Sequence, residues 1–239
     1  MTDSPRNLSP QRYARIGGAL YLIIIVAGLF GEMFVRGKLV VSGDATATAH
    51  QIIASPSLWR LGIAGDLIMH VCDVPLMVIF YVLLRPVHRN LALLAMLFNL
   101  VQTAVLVAYQ LNLLVALFLV GNAAYLKAFE PNQLHALMYV FIKAAGHGFS
   151  VGLIFFGFAC LVMGHLIRRS GYLPAVLGIL MQIAGLCYLI NSFALLLAPK
   201  FANTIFPAIL VPSFIGELSL CLWLLIKGVN VQKWEARVS

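Results

Sequence analysis

Asp66, His70 and Asp73 recur at i, i+4 and i+7 inside an apolar run, so on a helix they share a sector of roughly 60°. Carboxylates and imidazoles bind protons, cations and metal ions. An ionisable group at the bilayer centre costs ~2.5–3.5 kcal/mol even on lenient insertion scales, so three on one helix face require partners or a task. Three further stripes follow: Asn99, Gln102 and Gln110; Tyr139, Lys143, His147 and Ser150; and Ser213, Glu217 and Cys221. Counting inward from the predicted outer helix ends puts Asp66 about 8 Å deep, His70 and Lys143 about 13 Å, Glu217 about 16 Å, and Asp73 and His147 about 18–20 Å. The expectation is one polar pocket, open to the outside, that gathers Asp66, His70, Asp73, Gln110, Lys143, His147 and Glu217. Three acids there face a single embedded base, Lys143. Two of them therefore hold protons, or meet a metal ion or the amine of a small-molecule ligand.

Other chemistries use the same residues. Asp66, His70 and Asp73 are candidate metal ligands on adjacent turns, and His147 or Glu217 would complete a zinc site with one water position open. An intramembrane hydrolase acting on a lipid-like substrate would follow, although no His-Glu-x-x-His motif backs it. His70 and His88 are 18 residues apart, as are His147 and His165, a spacing that two bis-histidine haem sites would use. Against haem, His88 follows Pro86 in a turn and His165 stands at a helix end beside Arg168. The plainest alternative is an inert accessory or scaffold subunit whose polar groups only tie helices together. All four cysteines (Cys72, Cys160, Cys187, Cys221) fall in apolar spans, which excludes a disulfide framework or a C-x-x-C site.

The elements that position these groups follow from composition. With 62% apolar residues, 10% charged residues and a mean hydropathy of +0.97, the chain reads as an all-α bundle of six transmembrane helices. They fall near residues 16–35, 61–84, 91–120, 134–166, 173–197 and 206–227, within a membrane domain of residues 15–229. A disordered tail (1–14) precedes it and a C-terminal tail (230–239) follows. The third and fourth spans exceed the length a bilayer needs, so they tilt or project. The net charge of +8 marks topology rather than nucleic acid. Arg6, Arg12, Arg15, Arg85, Arg89, Arg168, Arg169, Lys227, Lys233 and Arg237 fall on one side, against Arg36, Lys38, Arg60, Lys127 and Lys200 on the other. The positive-inside rule then puts both termini in the cytoplasm of an inner-membrane protein. Tyr13, Tyr81, Tyr172 and Trp234 on that side, with Trp59 and Tyr125 opposite, read as headgroup anchors.

Local signals complete the outline. Glu32 and Arg36 form an i,i+4 pair at the outer end of the first helix. Asp44 is an N-cap for an outer segment, Ala45–Ser55, that Pro56 ends. Pro75, Pro207 and Pro212 predict bends beside Asp73 and Glu217. Ala144, Gly148 and Gly152 form a small-residue stripe for close helix approach. Gly65-Asp66-Leu67 and Gly216-Glu217-Leu218 share a pattern, as do Ala27-Gly-Leu29 and Ala184-Gly-Leu186, hinting at a duplicated hairpin.

The chain also resembles a bacterial multi-pass membrane family catalogued as a domain of unknown function, number forty-three eighty-six in that series. The carriers are Arg15-Ile-Gly-Gly-Ala-Leu-Tyr-Leu22, Gly43-Asp-Ala-Thr-Ala-Thr48, Leu61-Gly-Ile-Ala-Gly-Asp-Leu67, Leu83-Leu-Arg-Pro-Val87, Arg89-Asn-Leu-Ala-Leu-Leu94, Phe155-Phe-Gly157, Arg169-Ser-Gly-Tyr-Leu-Pro174 and Gly216-Glu-Leu218. They run along nearly the whole chain. The resemblance implies the multi-pass architecture and brings no activity, cofactor or catalytic residue with it.

Overall fold

Helix starts are written in the local sequence. The Ser9 hydroxyl accepts from the Arg12 N–H and Pro10 occupies the first turn, where its missing N–H costs nothing. Asp44 caps the outer helix Ala45–Ala54 by accepting from the Ala47 N–H at 2.8 Å. His88 caps the third span through Nδ1, and Glu130 with Gln133 forms a capping box before Pro131. Gly171 and Gly228, with φ of 74° and 71°, end the fourth and sixth spans in the left-handed region that favours glycine.

The computed structural model describes residues 9–238. Six of its helices are long and apolar enough to cross a membrane: Pro10–Leu39, Pro56–Leu84, Arg89–Leu119, Pro131–Ser170, Ala175–Leu197 and Ala208–Ile226. Each packs on its neighbours in sequence and the sixth returns to the first, so the spans form a ring in chain order. Glycines let the backbones close up. Gly157 faces Gly185 and Gly164 faces Gly178 between spans four and five, while Gly18 lies against the Leu225 backbone of span six. The expected small-residue stripe acts likewise, with Gly148 and Gly152 receiving Tyr109 and Leu106 of span three.

The core falls into two apolar clusters, one toward each end of the bundle. Tyr21, Leu76, Leu83, Leu166, Met181, Leu220 and Leu224 belong to the cluster nearer the termini. Val35, Leu39, Trp59, Ile63, Leu106, Leu113, Met138 and Ile142 make the distal one. Buried His70, Asp73, Gln102, Thr103 and Ser150 fall between the two along their helices. A polar layer thus separates two greasy ends. The fourth span, 40 residues or about 60 Å long, exceeds the roughly 40–45 Å of a whole bilayer. The outer helix leans on its distal half, burying Ala49 and Ile52, and the Tyr139 hydroxyl accepts from the Gly43 N–H at 2.7 Å.

Several expectations shift. Residues 1–8, including Arg6, lie outside the described residues; helix begins at Pro10, ahead of the span expected near residues 16–35. Val231–Val238 is helical and docked, because the Trp234 indole donates to the Leu83 carbonyl at 3.0 Å. Trp59 and Tyr172 are core residues, not headgroup anchors. Trp59 donates to the Leu113 carbonyl at 3.0 Å and Tyr172 to the Leu83 carbonyl at 2.6 Å, so their polar tips are satisfied inside. Pro207 and Pro212 precede or open the helix Val211–Ile226 and do not bend it at Glu217; Pro75 alone sits mid-helix.

Candidate functional site

The stripe on span two is buried along its whole length: Asp66 is 1% exposed, His70 3% and Asp73 9%. Each member has a different partner. Between Phe30 and Arg36 the first span widens into a π-helix, a local feature frequent at functional sites. At its end Arg36 forks onto Asp66, with Nη1–Oδ2 at 2.6 Å and Nη2–Oδ1 at 3.4 Å, while Nε bonds the exposed Glu32 at 2.7 Å. A Cβ on Gly31 would fall 2.5 Å from Asp66 Oδ1, so only glycine leaves room for this pair. The i,i+4 pair read from the sequence is present. Its cation also reaches inward, which makes Arg36, not Lys143, the countercharge of Asp66.

One turn deeper, the His70 and Gln110 side chains hydrogen-bond, with the two Nε2 atoms 3.2 Å apart. Deeper still, Asp73 accepts from Asn99 Nδ2 at 3.1 Å and from the Thr103 hydroxyl in a very short bond. On span six, half-buried Glu217 accepts from Tyr21 of span one at 3.0 Å and, more closely, from Tyr188 of span five. Among the described residues the ion pairs are Arg36–Glu32 and Arg36–Asp66, so Asp73 and Glu217 have neutral donors and no cationic partner. The amide oxygens Asn99 Oδ1 and Gln110 Oε1 are buried without a hydrogen-bond partner.

Lys143 and His147 stand apart from this interior. Both are exposed; Lys143 Nζ lies 5.3 Å from the Tyr139 ring centroid and His147 Nδ1 lies 3.0 Å from the Lys143 carbonyl. The reason is rotational. Met138, Ile142 and Ala145 carry the apolar face of that half-helix into the core. The stripe one residue later is turned about 100° away from it.

The metal reading meets these contacts directly. Asp66 is engaged by Arg36 and Asp73 by Asn99 and Thr103, and among the described residues no three His, Cys, Asp or Glu side chains gather at metal-holding distance. The residues present do not fit a zinc site. Nor do His70, buried, and His147, exposed, face each other as haem ligands would, while His88 is a helix cap. Sequence reasoning passed over Arg36 as a buried partner, and Tyr21, Tyr188 and Thr103 altogether. Their available signal was a hydroxyl inside an apolar span. In both candidate hairpins the acid meets a donor on the preceding span, 30 residues back for Asp66 and 29 for Glu217.

No solved structure matches the chain. An uncharacterized protein of Archaeoglobus fulgidus is 30% identical over 168 residues, covering 70% of this chain and 83% of its own length. A family model described as "Domain of unknown function (DUF4386)" matches residues 16–228, which takes in all of Asp66, His70, Asp73 and Glu217. Six apolar spans and this match make the chain an integral, multi-pass membrane protein that belongs to the family described as Domain of unknown function (DUF4386).

Proposed function

We propose that the protein binds, and translocates, a small or cationic ligand in the membrane with protonation of Asp73 and Glu217 coupled to binding. One observation carries this reading. Two acids on different spans are held by hydroxyls and an amide with no fixed positive charge beside them among the described residues. A carboxylate in such a place needs a proton or a mobile cation for neutrality. The hydrogen-bond partners of Asp73 are one hydroxyl and one amide, with no thiol or imidazole, which favours a proton or a small hard cation over a soft metal. Asp66 with Arg36, and His70 with Gln110, form the distal side of the same polar layer and would shape access from that end. The bias of ten cations to the termini end supports cytoplasmic termini and access from the outer face of a cell inner membrane.

The test uses the purified full-length protein in liposomes loaded with a pH-reporting dye. An imposed proton or sodium gradient should drive a lumenal pH change that D73N and E217Q each reduce to the level of protein-free vesicles, with unchanged folded yield. Equal flux in wild type and both variants would refute the reading.

A structural reading rests on a different observation: each acid already accepts two hydrogen bonds from neighbouring spans, as an interhelical tie would. It predicts that neutralising Asp73 and Glu217 together, the two acids without a cationic partner among the described residues, leaves transport unchanged and raises thermal stability.

A further inference from the structure

His165, Arg168 and Arg169 stand at i, i+3 and i+4 near the end of span four, so they share one helix face. With Ala175 of span five they line a groove of about 340 Å³ at the termini end of the bundle. Arg168 is pre-positioned there. Its stem crosses Gly178 of span five, where a Cβ would collide with it, and its guanidinium donates to Gln182 Oε1 at 3.0 Å. That bond uses one of five guanidinium N–H donors. Arg169 and His165 make no side-chain hydrogen bond or ion pair among the described residues. The charge of this groove is therefore uncompensated.

What lies beside the groove suggests the ligand. Val176, Ile179 and Ile183 of span five, 57%, 43% and 40% exposed, continue from Ala175 into the apolar belt as one stripe. A cationic seat at headgroup level above an exposed apolar stripe complements a molecule with an anionic phosphate and acyl chains. We propose that this groove binds the phosphate of an anionic membrane lipid through Arg168, Arg169 and His165, with the chains along Val176, Ile179 and Ile183. The site is separate from the carboxylates on spans two and six, and it stands whether or not those carry protons.

The experiment measures binding of fluorescent phosphatidylglycerol to the full-length protein in neutral-detergent micelles. Unlabelled phosphatidylglycerol, phosphatidylcholine and inorganic phosphate are the competitors. Each arginine near an anionic surface contributes about fivefold in affinity, so R168Q/R169Q should weaken binding about 30-fold. R85Q/R89Q, which removes the same charge from the neighbouring connection at the same end, should bind within about twofold of wild type. R169Q alone leaves the Gln182 bond in place; if the double variant does not fold, it tests the site through a loss of about fivefold. Wild-type affinity in the Arg168/Arg169 variants would overturn the proposal. So would an equal loss in R85Q/R89Q, which would make the effect one of bulk charge. Displacement by inorganic phosphate as readily as by unlabelled phosphatidylglycerol would assign the groove to a soluble anion and overturn the lipid.

Discussion

Removing Arg36 should cost more stability than removing any other single charge in the distal half of the bundle. Asp66 is 1% exposed and both its oxygens face the Arg36 guanidinium, whose side chain is itself only 20% exposed. R36M leaves that carboxylate buried without a countercharge, and breaking a buried pair in this way costs about 3–5 kcal/mol. D66N should cost less, about 1–3 kcal/mol, because Arg36 keeps its 2.7 Å bond to Glu32 and some contact with solvent. In R36M/D66L both charges are gone, so stability should return to within about 1 kcal/mol of wild type. The double-mutant cycle then shows a coupling of several kcal/mol between residues 30 positions apart. Unfolding is followed by far-ultraviolet circular dichroism against increasing sodium dodecyl sulfate in mixed micelles. A loss below about 1 kcal/mol for R36M, or a double variant no more stable than R36M, would refute the pairing as the element that neutralises Asp66.

Other outcomes follow from the same contacts. K143M should change stability by less than about 0.5 kcal/mol in that titration, since Lys143 is exposed and pairs with no buried acid. G18A should destabilise by about 1–3 kcal/mol, because the new methyl would meet the Leu225 backbone of span six and force the first and last spans apart. Burial pushes the Tyr172 phenol, in the connection between spans four and five, above its ordinary range, while Arg237 pulls it back in smaller measure. Its contribution is therefore complete below the unfolded tyrosine value near about 10 and is lost as pH rises beyond it. Y172F should flatten the alkaline fall in melting temperature, and an unchanged slope would contradict this.

Hydropathy and charge made the architecture legible, and the periodicity of Asp66, His70 and Asp73 located the buried face of span two. Those signals are local to one helix. Partners across helices were less legible, because they depend on how each helix is rotated. Arg36 reads as a boundary residue until the π-helical turn and Gly31 are seen to aim it at Asp66. Lys143 reads as embedded when depth is counted from a helix end, yet span four runs well beyond bilayer length and its apolar stripe lies one residue earlier. Tyr21 and Tyr188 are mostly hydrocarbon by composition. Only their hydroxyls, meeting at Glu217, reveal a role. Trp59 and Tyr172 show the converse error, for an amphipathic ring also suits a core that offers one free carbonyl.

Asp73 and Glu217 are proposed to exchange protons during the working cycle, and infrared difference spectroscopy reads that exchange at the carboxyl groups themselves. Wild-type protein in lipid, stepped between acidic and alkaline buffer, should show protonated-carboxyl bands that shift in deuterated water. D73N and E217Q should each delete one of them. Bands that are absent, or that persist in both variants, would show that these acids hold a fixed protonation state and serve only to join helices.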